Sequence, residues 1–281
     1  MTNDKINTVT LRPTQYLTAP IQKQNGHVEQ NGHTEEDQHI SRDDTALIIL
    51  NSPISDFSYF YRLYAHASYT LCADGGANRL HNLLTTTFPD LPPSVALQKA
   101  LPHAIHGDLD SLSASTRTIY EDLGVKISRD PDQYSTDFGK AITKILTSKP
   151  NTRAILVLGS VGGRVDQGIG LLHELYREQK AQRQRQGVRF WLFSEASVSV
   201  VVGPGRTVLH LPVEEGLVTA NVGILPIYGR AVISTKGLEW DVTGWETEMG
   251  GSVSSSNHVV EEWVEIESDR EVLFTVERAA V

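Results

Sequence analysis

Apolar and polar positions along the chain follow two successive regimes. From residue 46 to about residue 193, short continuous apolar runs alternate with stretches of helical spacing. Ala46-Leu47-Ile48-Ile49-Leu50 reads as a parallel strand buried on both faces. Phe57 to His66 places Phe60, Leu63 and Tyr64 on one side of a helix. Tyr69 to Ala73 is a second strand, running through Asp74-Gly75-Gly76-Ala77-Asn78 into a helix over Arg79 to Leu84. Residues 86–102 are punctuated by proline and read as loop. Ala104-Ile105-His106 and Val125-Lys126-Ile127 are short strands around a helix over Ser113 to Leu123. From Phe138 onward, Phe138, Ala141, Ile142, Ile145 and Leu146 recur at helical spacing, with Ser135 or Thr136 as N-cap and Asp137 in the first turn. Ala154 to Leu158 is the clearest strand, followed by a helix over Gly168 to Gln184.

Beyond Phe190-Trp191-Leu192-Phe193 the helical spacing stops. Short β-branched runs broken by glycine and proline take over: Val198–Val202, Thr207–Leu211, Leu217–Val222, Ala231–Ser234, Ser252–Ser254, Val259–Ile266 and Val272–Glu277. Such spacing predicts an antiparallel sandwich, so the switch marks a domain boundary near residue 196. The predicted organisation is a disordered tail over 1–43, an α/β domain with a parallel-type sheet and flanking helices over 44–196, and an all-β sandwich over 197–281. The tail is polar and carries the near-repeat Gln24-Asn25-Gly26-His27 and Gln30-Asn31-Gly32-His33. It offers too little apolar surface to offset its ordering entropy, and His27 and His33 read as solvated.

Composition narrows the function. The formal net charge of −9 argues against broad binding of nucleic acid but not against a small anion such as ATP, which local donors and a metal can hold. The basic run Lys180, Arg183, Arg185, Arg189 reads as a solvated helix face. No stretch reaches the roughly 18 apolar residues of a membrane helix, and the N-terminus has neither a secretory h-region nor an Arg-rich amphipathic pattern, so a cytoplasmic protein is expected. The single cysteine, Cys72, lies in an apolar run and reads as a buried, inert thiol.

Candidate chemistry gathers at the strand ends. His106-Gly107-Asp108-Leu109-Asp110-Ser111 sets two carboxylates two residues apart, pointing the same way if the backbone stays extended. They repel unless a cation intervenes, and an all-oxygen set favours Mg²⁺; a surface turn is the structural alternative. Asp74-Gly75-Gly76 leaves backbone N–H groups free at a strand's carboxyl end, or merely caps the next helix. Asp137 suits a helix start for dipole reasons alone, and Gln133 offers an unspecific amide. In Gly162-Gly163-Arg164-Val165-Asp166-Gln167 the glycines permit close approach to phosphate and Arg164 supplies a planar fork. The spacing matches neither a P-loop nor a dinucleotide fingerprint. Trp240 and Trp245, with Ser254-Ser255-Ser256-Asn257, either pack or line a pocket for a polar heterocycle.

Taken together, these stretches resemble the thiamine pyrophosphokinase family. The resemblance rests on Ala73–Asn78, Gly107–Ser111, Pro131-Asp132-Gln133-x-x-Thr136-Asp137-Phe138, Gly162–Gln167, Thr235–Trp240 and Val253–Asn257, in that order over roughly residues 46 to 277. It implies transfer of a pyrophosphoryl group from MgATP to thiamine, in a homodimer with sites between protomers. It implies that Asp108, Asp110 and Asp137 hold Mg²⁺ and, with Arg164, serve catalysis. Asp74, Gly75, Gly76, Asn78, Gln133, Thr136, Gly162, Gly163, Arg164 and Asp166 would contact ATP; Trp240, Ser254, Ser255, Ser256 and Asn257 would contact thiamine. Thr243 to Gly251 is longer and more polar than the family pattern suggests, and the basic stretch 178–189 has no counterpart there. A catalytically silent thiamine- or nucleotide-binding regulator, or a γ-phosphoryl kinase of another heterocyclic alcohol, are the alternatives.

Overall fold

The described residues of this computed structural model are 8–20, 40–132, 134–183 (the side chain of Arg183 excepted) and 187–279. They form two compact units, one of residues 40–195 and one combining the N-terminal segment with the chain from Ala196 onward. The N-terminal segment supplies β1 (Thr8–Leu11) to the second unit.

In the first unit, β2 (Thr45–Ile49), β3 (Tyr69–Ala73), β4 (Ala104–Gly107), β5 (Lys126–Arg129), β6 (Ala154–Leu158) and β7 (Arg189–Phe193) form one sheet in the order β7-β6-β2-β3-β4-β5. All five pairings are parallel. Every residue of β2 and β6 is buried, which is why their sequences lack alternation. The connecting helices are α1 (Phe57–His66), α2 (Gly76–Thr87), α3 (Pro93–Leu97), α4 (Ala114–Asp122), α5 (Asp137–Ser148) and α6 (Val165–Arg183). Side-chain caps start three of them: Asp56 accepts from the Tyr59 N–H, Ser113 from Thr116 and Thr136 from Gly139. The stretch expected to be loop at 86–102 contains α3 and a 3₁₀ turn over Gln98–Ala100. Its proline punctuation marks a helix start, because Pro93 at the first helical position gives up an N–H that would be unpaired anyway. Chain order reverses across β2 and β6, and such a reversal opens a crevice beyond the carboxyl ends of the strands.

The second unit contains β8 (Ser197–Val202), β9 (Gly205–His210), β10 (Val218–Leu225), β11 (Ala231–Lys236), β12 (Trp245–Thr247), β13 (Ser254–His258), β14 (Trp263–Ser268) and β15 (Val272–Arg278). They pair as β1-β9-β14-β11-β12 and as β13-β10-β15-β8. Among these neighbours only β1 with β9 is parallel. Leu11, Leu209, Ile233, Val264 and Ile266 from the first sheet, with Val200, Ile224, Phe274 and Val276 from the second, are all buried.

The disordered-tail expectation needs correcting for residues 8–20. Thr8-Val9-Thr10-Leu11 is short but β-branched, and it completes the β9 edge with the register Thr8 to Arg206. Behind it Tyr16 and Leu17 are buried, and the Arg12 guanidinium lies 5.4 Å from the centre of the Trp263 ring. His27, His33 and Arg185 lie outside the described residues. Ser254–Asn257, which reads as a turn or pocket lining, is a strand, and β12 had no apolar signature to announce it. Among the described residues no helix is long and apolar enough to cross a membrane.

Candidate active site

A cleft of about 490 Å³ lies at the carboxyl ends of the parallel strands. Leu50, Asn51 and Ser52 line it after β2, Asp74 after β3, Asp108 and Ser111 after β4, and Gly159 to Gly162 after β6. Asp132 and Ser135 before α5, Thr136 and Asp137 at its start, and Gln167 and Glu174 on α6 add to the wall. Carboxylate oxygens of Asp74, Asp108 and Asp137 all lie within 4.8 Å of one another. These three residues come from separate segments. Gly107 allows them to meet: a Cβ there would stand 2.9 Å from Asp137 Oδ1 and 3.0 Å from the Asp74 Cβ. Asp74 (φ 42°) and Leu109 (φ 66°) both adopt left-handed backbone, costing about 1 kcal/mol or more each, so the fold holds strain at this point.

Electrostatics are unfavourable for three bare carboxylates. Asp74 is 2% exposed, and its pKa is raised mainly by burial, despite the Ser111 backbone N–H donating to Oδ2 at 3.1 Å. Asp137 is pushed up to about 6, first by burial and then by the charges of Asp108 and Asp74. Asp74 Oδ1 and Asp137 Oδ1 are buried without a hydrogen-bond partner among the described residues. Two orphaned buried oxygens in an all-carboxylate set fit a hard divalent cation such as Mg²⁺. One cation of the protein is already present: buried Lys140 places Nζ 3.8 Å from Asp108 Oδ2. Its position three residues after Asp137 on α5 puts it on the same helix face, the signal that Asp137-x-x-Lys140 carries in the sequence.

Several expected residues are placed otherwise. Asp110 stands outside the trio, exposed, with Oδ1 accepting from Ser111 Oγ at 3.0 Å. The left-handed Leu109 breaks the extended backbone that would have aligned it with Asp108. Arg164 and Asp166 do not line the cleft. They pair with each other through Nε–Oδ1 (3.1 Å) and Nη2–Oδ2 (2.5 Å), with 70% and 65% of their side chains exposed. Gly162 lines the cleft and Gly163 does not. Asn78 is spent on the chain itself, donating to Ser111 O (2.7 Å) and accepting from the Ser113 N–H (3.2 Å). Gly76 brings α2 against β2, where a Cβ would meet Ile49 O at 2.1 Å, and Gly75 lies against the side chains of Asn51 and Ser111. Gln133 lies outside the described residues. Asn51, Ser52, Ser160 and Glu174 were missed; only Asn51-Ser52, directly after an apolar strand at the reversal point, carried a signal.

The β unit has a separate pocket of about 300 Å³. Trp240, Trp245, Ser254, Ser255, Ser256 and Asn257 line it over an apolar floor that includes Ile224 and Ile233. Trp240 is 55% exposed, and its backbone is held by buried Asn257, which accepts from Trp240 N–H (3.1 Å) and donates to Trp240 O (2.9 Å). A half-exposed indole beside hydroxyls is suited to an aromatic, polar ligand. Cys72, by contrast, is inert: burial pushes its thiol well above the usual range.

Comparison with known proteins agrees with both halves. A family model described as thiamin pyrophosphokinase, catalytic domain, matches residues 60–186, and one described as thiamin pyrophosphokinase, vitamin B1 binding domain, matches residues 206–273. Thiamine pyrophosphokinase 1 of Arabidopsis thaliana is 34% identical over 238 residues, spanning 82% of this chain and 85% of the relative. Thiamine pyrophosphokinase of Saccharomyces cerevisiae is 28% identical over 264 residues, 78% of this chain and 80% of the relative. The crystal structure of yeast thiamin pyrophosphokinase matches with a TM-score of 0.77 at 25% identity, covering 99% of this chain and 94% of that one. The thiamine pyrophosphokinase from Bacillus subtilis shares the fold at 17% identity, with a TM-score of 0.63 over 84% of this chain and 100% of that one. On these grounds the chain belongs to the thiamine pyrophosphokinase family.

Proposed function

We propose that this protein is a thiamine pyrophosphokinase that transfers the β,γ-pyrophosphoryl group of MgATP to the hydroxyethyl oxygen of thiamine, giving thiamine diphosphate and AMP. The observation that carries the reading is the convergence of Asp74, Asp108 and Asp137 in one cleft, with two buried carboxylate oxygens that no described residue hydrogen-bonds. Those carboxylates would hold Mg²⁺, which when bound offsets triphosphate charge and orients the β-phosphorus. The chain's own groups do the rest. The Gly159 and Ser160 N–H groups are taken by the Phe193 carbonyl, so the backbone N–H groups of Val161 and Gly162 and the hydroxyls of Ser52, Ser160 and Thr136 would be the donors to phosphate oxygens. The acceptor alcohol must be presented in line with the departing AMP oxygen. Phosphoryl chemistry asks mainly for alignment and charge neutralisation. Asp110, Arg164 and Asp166 do not line the cleft, so no chemical step is assigned to them.

The Trp240 pocket would take the thiamine rings, with the indole face toward the cationic thiazolium and the hydroxyls toward the aminopyrimidine. A homodimer in which the cleft of one protomer faces the pocket of its partner, acting in the cytoplasm, completes the proposal. Product analysis tests it: incubation with thiamine and MgATP is expected to yield AMP and thiamine diphosphate in equal amounts. ADP would instead identify a γ-phosphoryl kinase, and neither nucleotide a silent binding protein.

A further inference from the structure

A lysine whose side chain is 2% exposed, set against a cluster of three carboxylates, is expensive to desolvate unless its charge is used. Among the described residues, Lys140 makes its ion pair with Asp108, at 3.8 Å. That distance is too long for a good hydrogen bond, so what the ammonium supplies is charge rather than a directed bond. It is not among the residues lining the cleft, and it therefore meets the carboxylates from behind the surface that a nucleotide would touch. With Lys140 in place, three negative charges become a net of two, the charge of a single divalent ion.

We propose that Lys140 is a positioning residue that keeps the free acidic site weak for metal, so that the divalent ion binds tightly only together with the nucleotide. The inference rests on the reading of Asp74, Asp108 and Asp137 as a metal site. Without nucleotide, the ammonium already compensates part of the carboxylate charge and repels an incoming cation across the buried side of the cleft. A triphosphate brings further negative charge and its own oxygens, and with these the ion becomes favourable. The consequence for the reaction is order: the metal enters as the nucleotide complex.

Mn²⁺ is the probe, and its free concentration is read by electron paramagnetic resonance. The wild-type chain is expected to bind free Mn²⁺ weakly and to bind it at least about tenfold tighter with a non-hydrolysable ATP analogue. Lys140→Met preserves the aliphatic stem and removes the charge. It is expected to bind free Mn²⁺ at least about tenfold tighter than wild type, with the nucleotide-dependent gain shrunk accordingly. Metal-free Lys140→Met should melt earlier than wild type in EDTA and recover with Mn²⁺. Lys140→Arg keeps the charge and should keep weak free-metal binding, which provides a folded comparison if the methionine variant does not fold. A merely structural lysine would loosen metal when replaced, so tightening is the discriminating sign. Unchanged or weaker free Mn²⁺ binding in Lys140→Met, or tightening in Lys140→Arg equal to that of the methionine variant, would overturn the role of Lys140. A wild-type chain that takes up no Mn²⁺ even with the nucleotide analogue would overturn the metal reading itself.

Discussion

Asp137 carries a consequence that pH can expose. Its folded-state value near 6 lies above its ordinary 3.8, first because it is buried and then because Asp108 and Asp74 face it. Between those values the native protein holds a proton that the unfolded chain has released. This contribution to stability is present at low pH and is lost as pH rises through about 6. Asp137→Asn has no such loss. In EDTA, its melting temperature relative to wild type is expected to rise between about pH 4 and about pH 7, and saturating Mg²⁺ should abolish the rise. A difference independent of pH would show that Asp137 does not share its charge with the cluster. Asp74→Asn tests the neighbour: it keeps the Ser111 contact's shape but removes a proposed cation ligand. Turnover is expected to fall by two or more orders of magnitude, roughly the loss of one strong transition-state interaction, while far-UV circular dichroism is unchanged. How far these residues were legible in the sequence follows from their chemistry. Asp108 and Asp137 sit in acidic segments at strand and helix ends, so their types and positions point to a shared cation. Asp74 was ambiguous beside its two glycines, because a capping aspartate looks the same in one dimension. Arg164 shows the same ambiguity: two glycines before a guanidinium suggest a phosphate fork, and in the fold Asp166 two residues on pairs with it at the exposed surface.

At the scale of elements, the site depends on how α5 begins. Thr136 Oγ1 accepts from the Gly139 N–H at 3.1 Å, and Asp137 is the first helical residue. The cap therefore fixes the direction in which the Asp137 carboxylate leaves the backbone, and the following turn delivers Lys140. Thr136→Ala should cost about 0.5–2 kcal/mol of stability, measured by denaturant unfolding, and should weaken Mg²⁺-dependent turnover beyond what that loss explains. Thr136→Ser retains the hydroxyl and should restore both; a serine variant as impaired as the alanine one would mean that the threonine methyl, not the cap, matters. The helix itself was legible down to a choice of two capping residues, Ser135 or Thr136, since hydrophobic spacing and cap chemistry are local. The strands β1 and β12 were not. Thr8–Leu11 gains its stability from register with β9, nearly two hundred residues away, and Trp245–Thr247 from β11. Thr8–Leu11 is a brief alternation set in a polar tail and Trp245–Thr247 a triplet among polar residues, so only the partner reveals them as strands.

At the scale of the whole molecule, the acidic cleft belongs to the α/β unit and the Trp240 pocket to the β unit, and the proposed reaction would use both. If each active site takes its cleft from one protomer and its pocket from the partner, damage to the two features is separable between chains. Asp137→Asn leaves the pocket intact, and Trp240→Ala leaves the cleft intact while raising the thiamine KM far more than the ATP KM. Mixed after reversible dissociation, the two variants form heterodimers with one doubly damaged site and one site built wholly from undamaged parts. With random pairing, half of the dimers are mixed and half of their sites work. Activity at low thiamine should therefore climb to about one quarter of wild type, although each variant alone is nearly silent there. Sites contained within single protomers would give no recovery on mixing, since every chain would then carry its own defect in its own site. The assay thus separates a composite dimer from a pair of independent enzymes without reference to any contact area, and it reads the arrangement from chemistry that only an assembled site can perform.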